Sequence, residues 1–215
     1  MSYYYRILSY YYMGLNVEYY LSLLLFCVSS SITPGPNNLM MLMSGINFGV
    51  KRSLPHYFGI LFGFSAMVFL VGMGLAGVFA KFPVLHQIIK YIGAIYMLYL
   101  AYQIIRSSSS LKEVKSAHRP LSFFKAVLFQ WVNPKAWVMA IGAVSAFTVI
   151  TLPMVSQVII ISLIYFLVGV PCIAFWLFGG VAVRRYLNNP RYLQIFNVTM
   201  GILLIASIIL MLFGE

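Results

Sequence analysis

The sequence predicts an all-α integral membrane protein with six transmembrane helices, arranged as two inverted three-helix repeats. Three observations predict it. The 215-residue chain is 62% hydrophobic and only 8% charged, whereas a soluble domain carries roughly 25% charged residues. The apolar residues gather into six runs, each able to supply the roughly 20 residues that a span needs. The first run of each half is interrupted by proline. Too few polar residues remain to cover a soluble globule, and the chain is too apolar to be disordered. A soluble enzyme is excluded, and little chain is left for an extramembrane domain.

The elements follow from the apolar runs and their polar breaks. Residues 1–18 form an N-terminal extension. Its first twelve residues, MSYYYRILSYYY, lack the basic-then-apolar order of a signal peptide. They read either as an interfacial aromatic segment or as residues ahead of a true start at Met13. Residues 19–215 form one six-span domain. Span 1 covers about 19–43 and is broken at Pro34-Gly35-Pro36; span 2 covers about 57–80 and span 3 about 84–105. A polar stretch, 106–122, separates the halves. Span 4 covers about 123–148 and is broken at Asn133-Pro134; span 5 covers about 154–182 and span 6 about 193–213. Repeat 1 is then about 19–105 and repeat 2 about 123–213. With three spans per half, the second half enters from the opposite face, as an inverted repeat requires.

Lysine and arginine total 14 against 3 acidic residues, a net charge of +11. The basic residues sit in short loops, which is topology signal and phospholipid contact rather than a nucleic-acid surface. Lys51, Arg52, Arg106, Lys112, Lys115, Arg119, Lys125, Arg184, Arg185 and Arg191 fall on one side. Arg6, Lys81 and Lys90 fall on the other. The richer side is cytoplasmic, so both termini lie outside. Cys27 and Cys172 lie in apolar runs and read as packing residues. His56, His86 and His118 fall in or next to loops and are too scattered for a metal site. Trp131, Trp137 and Trp176 read as packing residues, anchors or cavity walls. No cofactor motif is present.

The breaks carry the functional signal. Proline removes a backbone donor and clashes with the preceding turn. Freed backbone groups survive at membrane depth only where protein or a watery cavity satisfies them. A break therefore implies an internal polar site. Half-helix N-termini there can receive a carboxylate, and freed carbonyls can receive an ammonium. An amino-acid zwitterion presents both. The alternative is a merely structural kink. Two matched breaks flanked by Thr33, Asn37, Asn38, Asn133 and Lys135 weigh against that. Lys135 has two readings. Near the midplane it would lack an internal counter-ion, which a substrate carboxylate could supply, and it could exchange protons as a coupling group. Alternatively Pro134 starts a helix and Lys135 snorkels to an interface. Gly45, Gly49, Gly59 and Gly63 follow small-xxx-small spacing, which suits close helix packing or a hinge. Gly72, Gly74 and Gly77 in span 2, and Gly169, Pro171, Gly179 and Gly180 in span 5, extend the pattern.

The run Ile32-Thr33-Pro34-Gly35-Pro36-Asn37-Asn38, the glycine-spaced stretch after it and Asn133-Pro134-Lys135 resemble the signatures of the LysE/RhtB family of amino-acid exporters. The resemblance spans the chain from about Glu18 to its end. The LFQWVNPKAW context is most similar to the cysteine/O-acetylserine exporter branch, while the Tyr-rich start departs from the pattern. The resemblance implies a multi-pass secondary transporter of the bacterial cytoplasmic membrane that exports amino acids, with protons as the coupling ion. It carries over Thr33, Pro34, Gly35, Pro36 and Asn37, with Asn133, Pro134 and Lys135, as site residues; Asn38 joins them by position. A cationic substrate would want a carboxylate inside the membrane, and the spans contain none, so small neutral amino acids are favoured. The expected partners are the amino acid, protons and lipids; a homo-oligomer is compatible with the sequence. The competing readings are a channel, a membrane-embedded enzyme and a scaffold. They would show charged rings, clustered catalytic groups or no need for paired breaks.

Overall fold

The computed structural model describes residues 17–75, 120–148, 153–184, 186 and 189–213, with separate positions between Lys81 and Arg106. Among the described residues all regular structure is helical. The helices are α1 (Val17–Ile32), α2 (Pro36–Leu70) with a π-helical turn after it (Val71–Leu75), α3 (Phe123–Val132), α4 (Pro134–Phe147), α5 (Met154–Arg184) and α6 (Pro190–Phe213). The described positions from Lys81 to Ile105 are helical as well. The N-terminal extension up to residue 16, the centre of the polar stretch at 107–119, His86, Lys90, Arg185 and Glu215 lie outside the described residues.

The broken spans form as the sequence predicts. Span 1 is α1 followed, after Thr33-Pro34-Gly35, by the start of α2; span 4 is α3 followed, after Asn133, by α4. Each second half-helix has proline at its first position. There the missing N–H is no loss and the fixed φ suits a helix start.

The junction of spans 1 and 2 differs from expectation. The sequence pattern puts Lys51 and Arg52 in a loop and the start of span 2 near 57. Both basic residues are instead helical, and the chain reverses at the single residue Gly49, with φ 73° and ψ −178°. Glycine alone takes such a φ without strain. The reversal is visible in the Ser44 Oγ to His56 Nδ1 hydrogen bond of 2.8 Å. Twelve residues of straight helix would hold those groups about 18 Å apart. α2 is therefore a hairpin of two arms, 36–48 and 50–70. His56, expected beside a loop, is inside the second arm and 1% exposed.

The halves pack counterpart against counterpart. Spans 1 and 4 run antiparallel along their length: Tyr19 donates to the Phe147 carbonyl, Phe26 lies against Gly142, Lys135 reaches Thr33, and Asn37 pairs with Gln130. As one number rises the other falls. Span 2 and α5 do the same. The Tyr57 hydroxyl donates to the Val170 carbonyl at 2.7 Å, Leu61 meets Gly169, Phe64 stacks edge-on with Tyr165, and Gly72 meets Val158. Gly201 of α6 abuts Ile105 at the end of span 3. Antiparallel pairing of equivalent spans is the geometry of an inverted repeat.

Two helices, Pro36–Gly74 and Met154–Arg184, are long and apolar enough to cross a membrane, and the other described helices include shorter apolar ones. The first passes that test as one helix, although Gly49 folds it. α5 is apolar on all sides. It buries Val158, Ile161, Tyr165 and Leu177, yet exposes Ile159, Leu163, Leu167, Phe175 and Phe178. A helix apolar all round whose outer face is uncovered belongs in lipid.

Of the predicted packing glycines, Gly45, Gly59, Gly63 and Gly180 sit at close helix crossings, whereas Gly49 makes the turn. A Cβ on Gly45 would lie 2.3 Å from the Leu177 carbonyl, and one on Gly180 would lie 2.1 Å from the Leu42 carbonyl. α5 thus lies backbone to backbone on the first arm of α2. Gly59 and Gly63 bring the second arm equally close to α3 at Phe123 and Val127.

Candidate functional site

At the first break the prolines leave carbonyls without their usual donors, and each is met by a side chain or a neighbouring amide. Pro34 cannot serve Ser30, so the Thr33 hydroxyl donates to the Ser30 carbonyl at 3.0 Å. Pro36 cannot serve Ile32, so the Trp176 indole donates from α5 at 3.1 Å. Asn38 Nδ2 reaches back to the carbonyls of Ser31 and Thr33 at 2.9 and 2.7 Å. Lys135 Nζ donates to the Thr33 carbonyl, to Thr33 Oγ1 at 2.9 Å and to the Pro34 carbonyl at 3.4 Å. An unpaired buried polar group costs about 1–3 kcal/mol, so these donors make the break tolerable in a membrane.

The second break is solved likewise. Pro134 cannot serve Gln130, whose carbonyl takes the Asn133 amide at 3.2 Å. The Trp137 indole donates to the Trp131 carbonyl at 2.9 Å. The two breaks then lock together through a reciprocal amide pair. Asn37 Nδ2 donates to Gln130 Oε1 at 2.7 Å, and Gln130 Nε2 donates back to Asn37 Oδ1 at 3.2 Å.

Between the breaks lies a cavity of about 40 Å³. At roughly 10–15 Å³ per water it holds about three waters, too little for an amino acid. Gly35, Asn37, Asn38, Asn133 and Lys135 line its polar side. Ile60, Leu61, Phe64, Met139 and Ile173 line its apolar side. None of the lining residues is acidic. Neither Gly35 nor Asn133 caps its helix with a side-chain hydrogen bond, so the positive ends of α2 and α4 both open here. Asn133 is 2% exposed, and its Oδ1 has no hydrogen-bond partner among the described residues. The tight fit of Gly35 places Lys135: a Cβ on Gly35 would fall 2.6 Å from Lys135 Cδ.

Five of the nine predicted substrate residues thus line one cavity. Thr33, Pro34, Pro36 and Pro134 do not line it; they form the breaks and hold Lys135. Elements of both Lys135 readings are present in the structure. Pro134 does start a helix, and the amine nevertheless turns inward. The expected vacant carbonyls are absent at the first break, because Asn38, Trp176 and Lys135 occupy them. Sequence reasoning missed Gln130 and Tyr165. Gln130 had a signal: it is polar in an apolar run, four residues before Pro134, where a carbonyl must be orphaned. Tyr165 had none. It is 1% exposed, lines the cavity, and its hydroxyl lies 3.4 Å from both Ser30 Oγ and the Met139 carbonyl.

Apolar helices, two of them broken where they meet around a small cavity with one polar side, are features of a membrane carrier. The profile of the LysE type translocators matches residues 28–213, and the chain belongs to that family. A leucine efflux protein of Enterobacter sp. is 29% identical over 183 residues, covering 81% of this chain and 86% of that protein. The leucine efflux protein of Salmonella typhimurium is 28% identical over 181 residues, covering 81% and 85%. An uncharacterized membrane protein of Vibrio cholerae is 26% identical over 194 residues, covering 87% and 93%. No solved structure matches the chain. The family, the relatives and the apolar helices make this a membrane translocator of the amino-acid exporter type.

Proposed function

We propose that the protein exports small neutral amino acids across the cytoplasmic membrane in exchange for protons, binding each substrate where the two breaks meet. The observation that carries the reading is the set of groups around one cavity. Two uncapped helix N-termini and the Lys135 amine suit a carboxylate. The unpaired Asn133 Oδ1 suits an ammonium. Ile60, Leu61, Phe64, Met139 and Ile173 suit an aliphatic side chain. With no carboxylate in the lining, a cationic side chain would go unpaired. The names of two relatives give leucine a place beside cysteine and O-acetylserine among candidate substrates.

The cavity must enlarge to take such a molecule. A substrate carboxylate would draw Lys135 from the Thr33 and Pro34 carbonyls, releasing the first break as it binds. Repeats 19–105 and 123–213 would then rock around the site. Uptake of labelled leucine, cysteine, O-acetylserine, serine, threonine and lysine into inside-out vesicles tests the reading. Saturable uptake of neutral members that a protonophore stops is the expected result. Lysine transported better than leucine, or uptake indifferent to the protonophore, would overturn it.

The basic residues after the Gly49 turn and in the third and fifth loops support a topology with both termini outside. C-terminal fusions are therefore expected to be active with alkaline phosphatase and silent with a fluorescent reporter that matures only in the cytoplasm. A fluorescent fusion would reverse the orientation.

A further inference from the structure

We propose that His56, held by Ser44 across the α2 hairpin, is the group that carries the exchanged proton; the inference rests on the antiport reading above. The pair is apart from the substrate cavity but joined to it. Ser44 lies seven residues from Asn37 and His56 four from Ile60, so the pair is one to two helical turns from the cavity wall on the same two arms. His56 is 1% exposed and Ser44 5%. One ring nitrogen, Nδ1, meets Ser44 Oγ at 2.8 Å. The other, Nε2, is buried without a hydrogen-bond partner among the described residues. Packing alone does not call for a buried imidazole with a bare nitrogen, since an unmet buried polar atom is costly.

The charged residues on the described elements around it keep to the surface or to helix ends, Arg52 one turn before His56 among them. Lys51 and Arg52 on its own arm and Lys125 on α3 are exposed, and Arg184 ends α5 beside Gly49. The first arm, which supplies Ser44, carries no charge. Among the described residues no carboxylate is bonded to the ring, so none holds it in the charged form. In the tautomer that donates Nδ1–H to Ser44 Oγ, the proton adds to the lone pair at Nε2. It leaves from Nε2 and returns the ring to neutral. The hairpin turn, with Lys51 and Arg52 just beyond it, puts this step between the cavity and the basic face of the protein. A proton arriving through the cavity would reach His56 last before the cytoplasm.

The test uses purified full-length protein in proteoliposomes and labelled leucine. Exchange of labelled for unlabelled leucine needs no net proton movement, whereas accumulation driven by a pH gradient does. His56→Gln keeps a hydrogen-bonding side chain but cannot hold a second charge state. It is expected to keep exchange within about twofold and to lose gradient-driven accumulation by about tenfold or more. Ser44→Ala keeps the ring and removes its anchor. It is expected to move the pH of half-maximal accumulation by about half a unit or more. Accumulation by His56→Gln equal to wild type would overturn the proposal, as would equal loss of exchange and accumulation in folded protein. If the glutamine variant does not fold, an unmoved midpoint in Ser44→Ala overturns it alone. Failure of the exporter reading would look different, because the wild-type protein itself would then neither exchange nor accumulate leucine.

Discussion

Replacing Lys135 by methionine is expected to abolish export while folded protein remains in the membrane. Methionine keeps the length of the stem and its contact with Gly35 but removes every donor. The first break survives in part, because Asn38 still holds the carbonyls of Ser31 and Thr33 and Trp176 still holds Ile32. The substrate carboxylate has no such reserve. A hydrogen bond to a charged group contributes about 1.5–3 kcal/mol, and a loss near the upper end corresponds to about a 100-fold fall in transport. Lys135→Arg retains the charge but not the shape, since the guanidinium fork is broader than the ammonium it replaces. It should recover only part of the rate. The measurement is initial uptake into inside-out vesicles, normalised to protein that elutes as a single species. Methionine-variant transport within threefold of wild type would remove the amine from the substrate site.

The second large effect is on folding. Gly180→Ala is expected to destabilise the protein by about 3 kcal/mol, the upper range for overpacking. The added carbon would sit 2.1 Å from the Leu42 carbonyl oxygen and 3.1 Å from the Ile46 amide. These are backbone atoms of a helix, so no side chain can turn aside. α5 and the first arm of α2 would have to part, undoing the equally close Gly45 approach to Leu177. The neighbouring Gly179→Ala is the control. Its new carbon would meet only Leu42 Cδ1, at 3.7 Å, and stability should change by less than about 0.5 kcal/mol. Thermal unfolding in detergent compares the two. Equal midpoints would show that the crossing can relax.

The membrane class, the broken spans and the meeting of Asn37, Asn38, Asn133 and Lys135 are legible in the sequence because proline acts locally. Wherever Pro34, Pro36 and Pro134 stand, a donor is missing, whatever the rest of the fold does. The donors that answer are not local. Trp176 and Tyr165 come from α5, more than a hundred residues from the first break, and nothing in their own neighbourhood marks them. The Gly49 reversal was hidden for a different reason. Lys51 and Arg52 look like a loop because charge leaves the membrane there, but a glycine at positive φ turns the chain in one residue and lets both remain helical. His56 was misplaced by the same error, since a loop drawn around 50–56 takes His56 with it.

That one-residue turn also decides which parts of the carrier can slide and which cannot. A flexible loop would let two neighbouring helices drift apart. Gly49 instead makes a clasp: the arm bearing Asn37 and Asn38 and the arm bearing Ile60, Leu61 and Phe64 are fastened at the turn and again at Ser44 and His56. One side of the cavity is thus a single fastened unit. The seams are left to the opposite side, where the amine of Lys135 joins α4 to the Thr33-Pro34 break, and under the proposed exchange it is there that the cavity would open first toward one face and then toward the other.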